Sequence, residues 1–383
     1  MLRRMSRPPS SVFVYFRRFV LAVLCWVMFL VLCPISHASA ANSYPGRNGI
    51  GMNGLSFRDS TSTQNAAAAR IAGVGAKWVR IEADWWYVQG GGRTVYDWAG
   101  LDGAVAAARS HSLNVLMLIQ KTPPWARSTT NGSTPPTNVN DYAAFASKVV
   151  ARYAPQGITA YEVWNEPNIS VFWADPTTGK PNIQGYVNLL KAAYPAMKAA
   201  TTTPIKVISA GLAPYGTTGT SPDGNAISPL TFLQQMYAAN AKNYFDAVGW
   251  HPYTSPALPN DTADWNGWSQ MSVDFRAADG SIRQKSVRTI MSDNGDAGKG
   301  VVMTEAGGPT AGEASLTEDQ QRLAYQQAVT ARASWDWAGP IFFYTINDFA
   351  PVTTQSPDRE NYFGVYRYDG TAKPAVSVLQ SVS

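Results

Sequence analysis

Histidine and cysteine are scarce in this chain. Its 383 residues hold three histidines, His37, His111 and His251, and two cysteines, Cys25 and Cys33, both within the first 40 residues. Beyond residue 40 there is therefore no thiol for a disulfide or a thiolate metal site, and two histidines cannot build a poly-histidine one. No cofactor or metal is expected. Charge is also sparse, at 15% of residues against 45% hydrophobic, which argues for a large core and against disorder. The formal net charge of +5 is local. Arg3, Arg4, Arg7, Arg17 and Arg18 stand among the first 40 residues with no acid beside them, and without them 26 basic residues face 26 acidic ones. That balance offers nothing to nucleic acid or to a membrane surface.

The first 40 residues are a separate object. A basic start leads into an apolar run over 20–32 and then to Ala38-Ser39-Ala40, a small-residue cleavage pattern. This is the pattern of a secretory signal peptide. The apolar run is short for a membrane span. An uncleaved N-terminal anchor is the alternative, and Leu32 before Cys33 disfavours a lipoprotein. The mature chain, 44–383, is expected to be a secreted or periplasmic monomer without stable membrane insertion.

Behind that segment, short apolar runs alternate with helical stretches. Strands are expected over 49–52, 78–81, 115–119, 161–164, 205–210, 247–250, 301–304 and 341–344. Helices are expected over 64–74, 101–110, 141–152, 184–200, 229–240, 282–291, 317–335 and, in brief, 374–380. Eight strand–helix units predict an α/β fold, a single-domain (β/α)8 TIM barrel. Near-continuous apolar strands suit burial on both faces. An open doubly wound sheet would favour a glycine-rich turn opening a helix, and no helix start directly follows "GIGMNG". The connections after strands four, five, six and eight are long, the longest over 252–281. In a barrel these loops share the C-terminal face, where active sites are built.

Two acids sit at that face. Glu166, in "YEVWNEPN", stands just past the fourth strand, and Glu305, in "VVMTEAGG", just past the seventh. Parallel strands carry both to one mouth. Paired carboxylates of this kind cleave glycosidic bonds when one is protonated and the other ionised. Asn-Glu-Pro alone also suits a helix start, so the pairing with Glu305 is what favours chemistry. Asn165 is placed to bind a sugar hydroxyl. Glu162 is expected to form a buried ion pair, with Arg80 as its partner. His251 could equally be a core histidine, and Trp265 and Trp268 could simply pack beneath the longest loop. Trp85 and Trp86 are adjacent, so they cannot serve one face.

At these residues the sequence resembles glycoside hydrolase clan A. Trp164-Asn165-Glu166-Pro167 matches the clan's "NEP" motif, whose Glu is the acid/base, and Glu305 matches the nucleophile that ends strand seven. Arg80 resembles the clan arginine near the nucleophile. His251 and Tyr253, in "HPY", resemble the strand-six pair whose tyrosine contacts it. Pro123-Pro124-Trp125 is similar to the pattern of family 39 and its endo-acting bacterial relatives. The resemblance covers the mature chain strand by strand. Two departures stand out. The chain ends before the added β-sandwich of the family 39 xylosidases, and Tyr344 in "IFFYTIND" stands where many members place a tryptophan.

The resemblance implies a retaining glycosidase that cleaves a polysaccharide, oligosaccharide or glycoconjugate by double displacement. Glu166 would be the acid/base and Glu305 the nucleophile. Trp125, Trp173, Trp265 and Trp268 are expected to line a groove as sugar-stacking platforms, favouring endo cleavage. Transglycosylation would use the same residues. A non-catalytic glycan-binding barrel is the alternative of a different class.

Overall fold

The computed structural model describes residues 49–352 and 358–382; the expected export segment, 1–40, lies outside them. Eight parallel strands close into a barrel: β1 (Ile50–Met52), β2 (Trp78–Asp84), β3 (Asn114–Gln120), β4 (Ala160–Val163), β5 (Lys206–Ser209), β6 (Ala247–Trp250), β7 (Gly300–Ala306) and β8 (Ala338–Phe343). Each strand pairs with its sequence neighbours, and β1 meets β8 to close the ring. The expected (β/α)8 TIM barrel is the fold.

Side chains alternate across each strand, and this alternation builds two cores. The outward set includes Val79, Ile81, Val115, Met117, Ile119, Tyr161, Val163, Val248 and Met303, packed under the helices. The inward set starts with an apolar plug of Trp78, Leu116, Ala160, Ile208, Ala247, Val302 and Phe342. Two residues further along their strands, the same face carries Arg80, Glu162 and Thr304, all buried. The barrel is thus filled with hydrocarbon at one end and with charge towards its C-terminal mouth. A buried charge is tolerated only when paired, so this layer must be hydrogen-bonded throughout.

The helices fall where apolar periodicity and caps place them. Asn138 accepts from Asn140 N at the start of helix Val139–Tyr153, and Thr317 and Gln320 form a capping box on helix Glu318–Ser334. One expectation needs correction, and two short helices were not expected. Residues 282–284 do not open the helix expected over 282–291. They pair with Phe275–Arg276 in a small antiparallel hairpin, and the helix spans Val287–Asp293. The signal was present in Asp279-Gly280, a turn dipeptide, and Gly280 adopts φ 85°. The long loop after β6 also carries a short helix, Gly267–Ser272, and a further short helix, Trp85–Gln89, follows β2 directly.

Candidate active site

Glu166 reaches the mouth through a backbone that few residues adopt. Trp164 has φ 74° and Glu166 φ 43°, both in the left-handed region where a side chain is strained. The surrounding chain holds them there. The Glu166 N–H donates to Gly211 O at 3.0 Å. Asn168, at the end of the same motif, donates to Ala213 O and Ile227 O and accepts from Ala213 N, each at 2.9 Å. The loop after β4 is thereby stitched to the loop after β5. Trp164 Nε1 donates to Phe172 O at 2.9 Å and fixes the rest of the turn.

Arg80 organises the centre. Its Nε donates to Glu162 Oε2 at 2.7 Å, its Nη1 to Glu305 Oε1 at 2.6 Å and its Nη2 to Asn165 Oδ1 at 2.8 Å. The expected Arg80–Glu162 pair is present, and the guanidinium also grips Glu305. The other Glu305 oxygen accepts from the Tyr253 hydroxyl at 2.8 Å. Because Arg80 occupies Asn165 Oδ1, the amide NH2 is the end left to donate. Both Asn165 and Glu305 line the cavity described below.

One oxygen of Glu166 and one of Glu305 lie within 4.8 Å of each other, and both lie within that distance of a His251 ring nitrogen. Donors this close could hold a cation. Here each is already engaged, and the Arg80 guanidinium at 2.6 Å from Glu305 opposes a second positive charge.

The two carboxyls sit in opposite environments. Burial raises the Glu166 pKa and the negative Glu305 adds to it, against His251 and Arg80. Burial also pushes Glu305 up, but the charges of His251 and Arg80 and the hydrogen bonds from Tyr253 and Arg80 outweigh it, so Glu305 is lowered. His251 lies 2.6 Å from Glu166 through Nδ1. Burial would lower it, and the two carboxylates reverse this and raise it.

A cavity of about 710 Å³ opens beside Glu305, with Arg80, Asn165 and Tyr344 in its wall. Its far side carries Glu82, Gln120 and Lys121, none of them expected from the sequence. Gln120 donates to Glu82 at 2.7 Å, and Lys121 stands 3.8 Å away. The signal was available: Glu82 follows Arg80 by two residues on β2 and so shares its face. A second cavity of about 420 Å³ shares Gln120, Lys121 and Phe172 with the first and runs to Trp86.

Other expected site residues lie elsewhere. His251 is buried behind Glu166, 1% exposed, and so supports the acid without lining the cavity. Trp173 packs edge-on against Trp164 and Tyr186 and is 2% exposed. Trp268 lies against Trp335 and is 4% exposed. Neither has a face for a sugar, so both are core residues. Trp125 is half-buried, with Arg93 over its ring and its Nε1 donating to Gln89 O. Trp265 is exposed on the loop after β6 but lines neither cavity. The exposed aromatics at the groove are Trp86, in the second cavity, and Phe349, in the first.

Residues 40–339 match the model of the cellulase family, glycosyl hydrolase family 5. The chain belongs to that family. No curated protein matches this sequence. Among solved structures, the barrel is similar to a family 39 glycoside hydrolase from Bacteroides cellulosilyticus WH2, with 19% identity and a TM-score of 0.65 over 88% of this chain and 63% of that one. It is also similar to a monomeric beta-xylosidase from Caulobacter crescentus CB15, with 15% identity and a TM-score of 0.59, covering 87% of this chain and 67% of that one. A subfamily 18 member of family 5 from Bifidobacterium longum subsp. infantis gives 14% identity and a TM-score of 0.60, covering 87% and 78%. This chain thus spans less than two thirds of the length of the family 39 structure. The expected clan and the family 39 likeness stand together with family 5 membership. At these identities the solved structures speak for the fold.

Proposed function

We propose that this protein is an exported retaining glycoside hydrolase that cleaves a polysaccharide or glycoconjugate internally. Glu166 is the acid/base and Glu305 the nucleophile. The observation that carries this reading is the pair of carboxyl oxygens within 4.8 Å, one group raised in pKa and the other lowered. Retaining enzymes hold the two carboxyls at about 5–5.5 Å, whereas inverting ones leave about 6.5–9.5 Å for a water.

In the first step Glu305 attacks the anomeric carbon as the glycosidic C–O bond breaks, and the proton of Glu166 passes to the leaving oxygen. Tyr253 and Arg80 hold Glu305 ionised and aimed. In the second step water attacks the same carbon and gives its proton back to Glu166, and the Glu305 ester bond breaks. Asn165 is suited to donate its amide to the sugar hydroxyl next to the reacting carbon, a contact that tightens in the transition state. A sugar hydroxyl in place of water would give transglycosylation.

The paired cavities favour internal cleavage. Together they run from Tyr344 past Glu305 to Phe172 and Trp86, offering room on one side of the cleavage point for more than one sugar. Residues 1–40 supply the export signal. Among the described residues no helix is long and apolar enough to cross a membrane. The test is a panel of polysaccharides, with early products sized and the first-formed anomer read by NMR. Retained configuration and oligosaccharide products are expected. An inverted product would remove the nucleophile role from Glu305, and monosaccharide alone from the earliest time would overturn internal cleavage.

A further inference from the structure

The double displacement leaves a third carboxylate unused. Glu162 is fully buried on β4, four residues before Glu166. Its Oε2 accepts from Arg80 Nε at 2.7 Å, and its Oε1 accepts from Gly211 N at 2.9 Å and from Thr304 Oγ1 at 2.8 Å. A carboxylate in such an ion pair only accepts, so the single hydroxyl hydrogen of Thr304 points at Glu162. The Thr304 oxygen then meets His251 Nε2, 3.0 Å away, with a lone pair. Nε2 must therefore carry a hydrogen. In a neutral imidazole this leaves Nδ1 as the acceptor, and Nδ1 faces Glu166 Oε1 at 2.6 Å. Two lone pairs repel at that distance, so the contact holds only with a proton between them.

We infer that Glu162, acting through Thr304, is a positioning residue that fixes hydrogen on His251 Nε2 and so keeps a proton shared between His251 Nδ1 and Glu166. The inference rests on Glu166 being the acid/base. Through Arg80 the same carboxylate also orients Glu305, so one buried group sets hydrogen-bond direction at both ends of the reaction. When Glu166 gives its proton to the leaving oxygen, the relay is left with a lone pair facing a carboxylate. That arrangement favours return of a proton from the attacking water.

The packing leaves the relay no slack. A methyl at Gly211 would stand 2.1 Å from His251 Nε2 and 2.5 Å from Thr304 Oγ1, so ring and hydroxyl lie directly on that backbone. Other charged or titratable groups also face the pair. Glu305 lies 3.8 Å from Nδ1, Arg80 opposes the proton, and Tyr253, Tyr344 and Glu360 feel the Glu166 charge. Replacing Thr304 keeps all of them and removes one hydroxyl.

The test reads the tautomer directly by long-range 1H–15N correlation on the 15N-labelled full chain, with His37→Gln and His111→Gln together leaving His251 as the sole histidine. In the parent protein and in Thr304→Ser, His251 should carry hydrogen on Nε2 at neutral pH. In Thr304→Val the Nδ1–H tautomer should appear, and the shared proton should leave about one pH unit lower, a tenfold change in proton affinity. The alkaline limb of the kcat/KM profile should move the same way. Thr304→Ala, which removes the same hydroxyl without a branched side chain, serves as the second variant if Thr304→Val does not fold. An Nδ1–H tautomer in the parent, or an unchanged tautomer and titration in the variant that folds, would overturn the relay. The tautomer is read without any substrate, so a missing glycosidase activity and a missing relay are separate results.

Discussion

Arg80 and Glu305 meet at 2.6 Å although 225 residues separate them in the chain. One guanidinium on β2 thereby holds a carboxylate at the end of β7 in its ionised form, while a second carboxylate, Glu162, holds the guanidinium from below. Removing the guanidinium should move the acid limb of the activity profile. Its charge and hydrogen bonds lower the Glu305 pKa, so Arg80→Ala should raise that pKa and shift the acid limb to higher pH. The same change strands Glu162 as an uncompensated buried charge, at a cost of about 3–5 kcal/mol of stability. Rate against pH, with chemical denaturation alongside, checks both; an unmoved acid limb would detach Arg80 from the nucleophile.

Tyr253→Phe is the milder probe of the same carboxylate. It removes one hydrogen bond to a charged group, worth about 1.5–3 kcal/mol, while keeping the ring. If that bond matters mainly for aiming Glu305, kcat should fall by roughly 10- to 150-fold with little change in thermal stability. Steady-state kinetics beside a melting curve would show it. A large loss of stability with unchanged kcat would make the bond structural.

Glu82 offers a prediction with the opposite sign. Burial raises its pKa, against the Lys121 charge and the Gln120 hydrogen bond. A raised folded pKa means that the unfolded chain releases this proton first, so stability falls as pH climbs from the ordinary carboxyl value through the folded one. Glu82→Gln keeps an acceptor for Gln120 and removes that penalty. The melting temperature of the variant should exceed the parent's at neutral pH, and the gain should vanish below about pH 4. The expected drawback is weaker substrate binding, since Glu82 lines the cavity beside Glu305.

The tryptophans should divide into two kinds. Trp173→Ala empties a buried site and should lower stability by about 3–5 kcal/mol. Trp86→Ala and Trp265→Ala alter exposed rings and should stay within about 0.5 kcal/mol of the parent. Of these two, Trp86→Ala should raise KM for long oligosaccharides and leave short ones unaffected, because Trp86 lies at the far end of the paired cavities. Equal losses on long and short substrates would remove it as a distal platform.

The sequence by itself determined the barrel and the two acids. Runs such as Val115–Ile119 are apolar on both faces, recur eight times and leave few alternatives, and an acid just past a parallel strand must emerge at the common mouth. Local periodicity carries that information. Glu162, too, was legible as the partner of Arg80, since the two share the barrel interior. What tertiary structure alone decided is which side chains are out of water and which hydrogen bonds they find. Trp173 and Trp265 read alike in sequence, yet one lies under Trp164 and Tyr186 and the other on an exposed loop. The hairpin of Phe275–Arg276 and Ile282–Gln284 displaced an expected helix start because a glycine turn let the two segments pair. The relay from Glu162 through Thr304 and His251 to Glu166 joins β4, β7 and the loop past β6. Its direction follows from donor and acceptor counts, and those exist only once closure of the barrel has brought residues 142 positions apart to 2.8 Å.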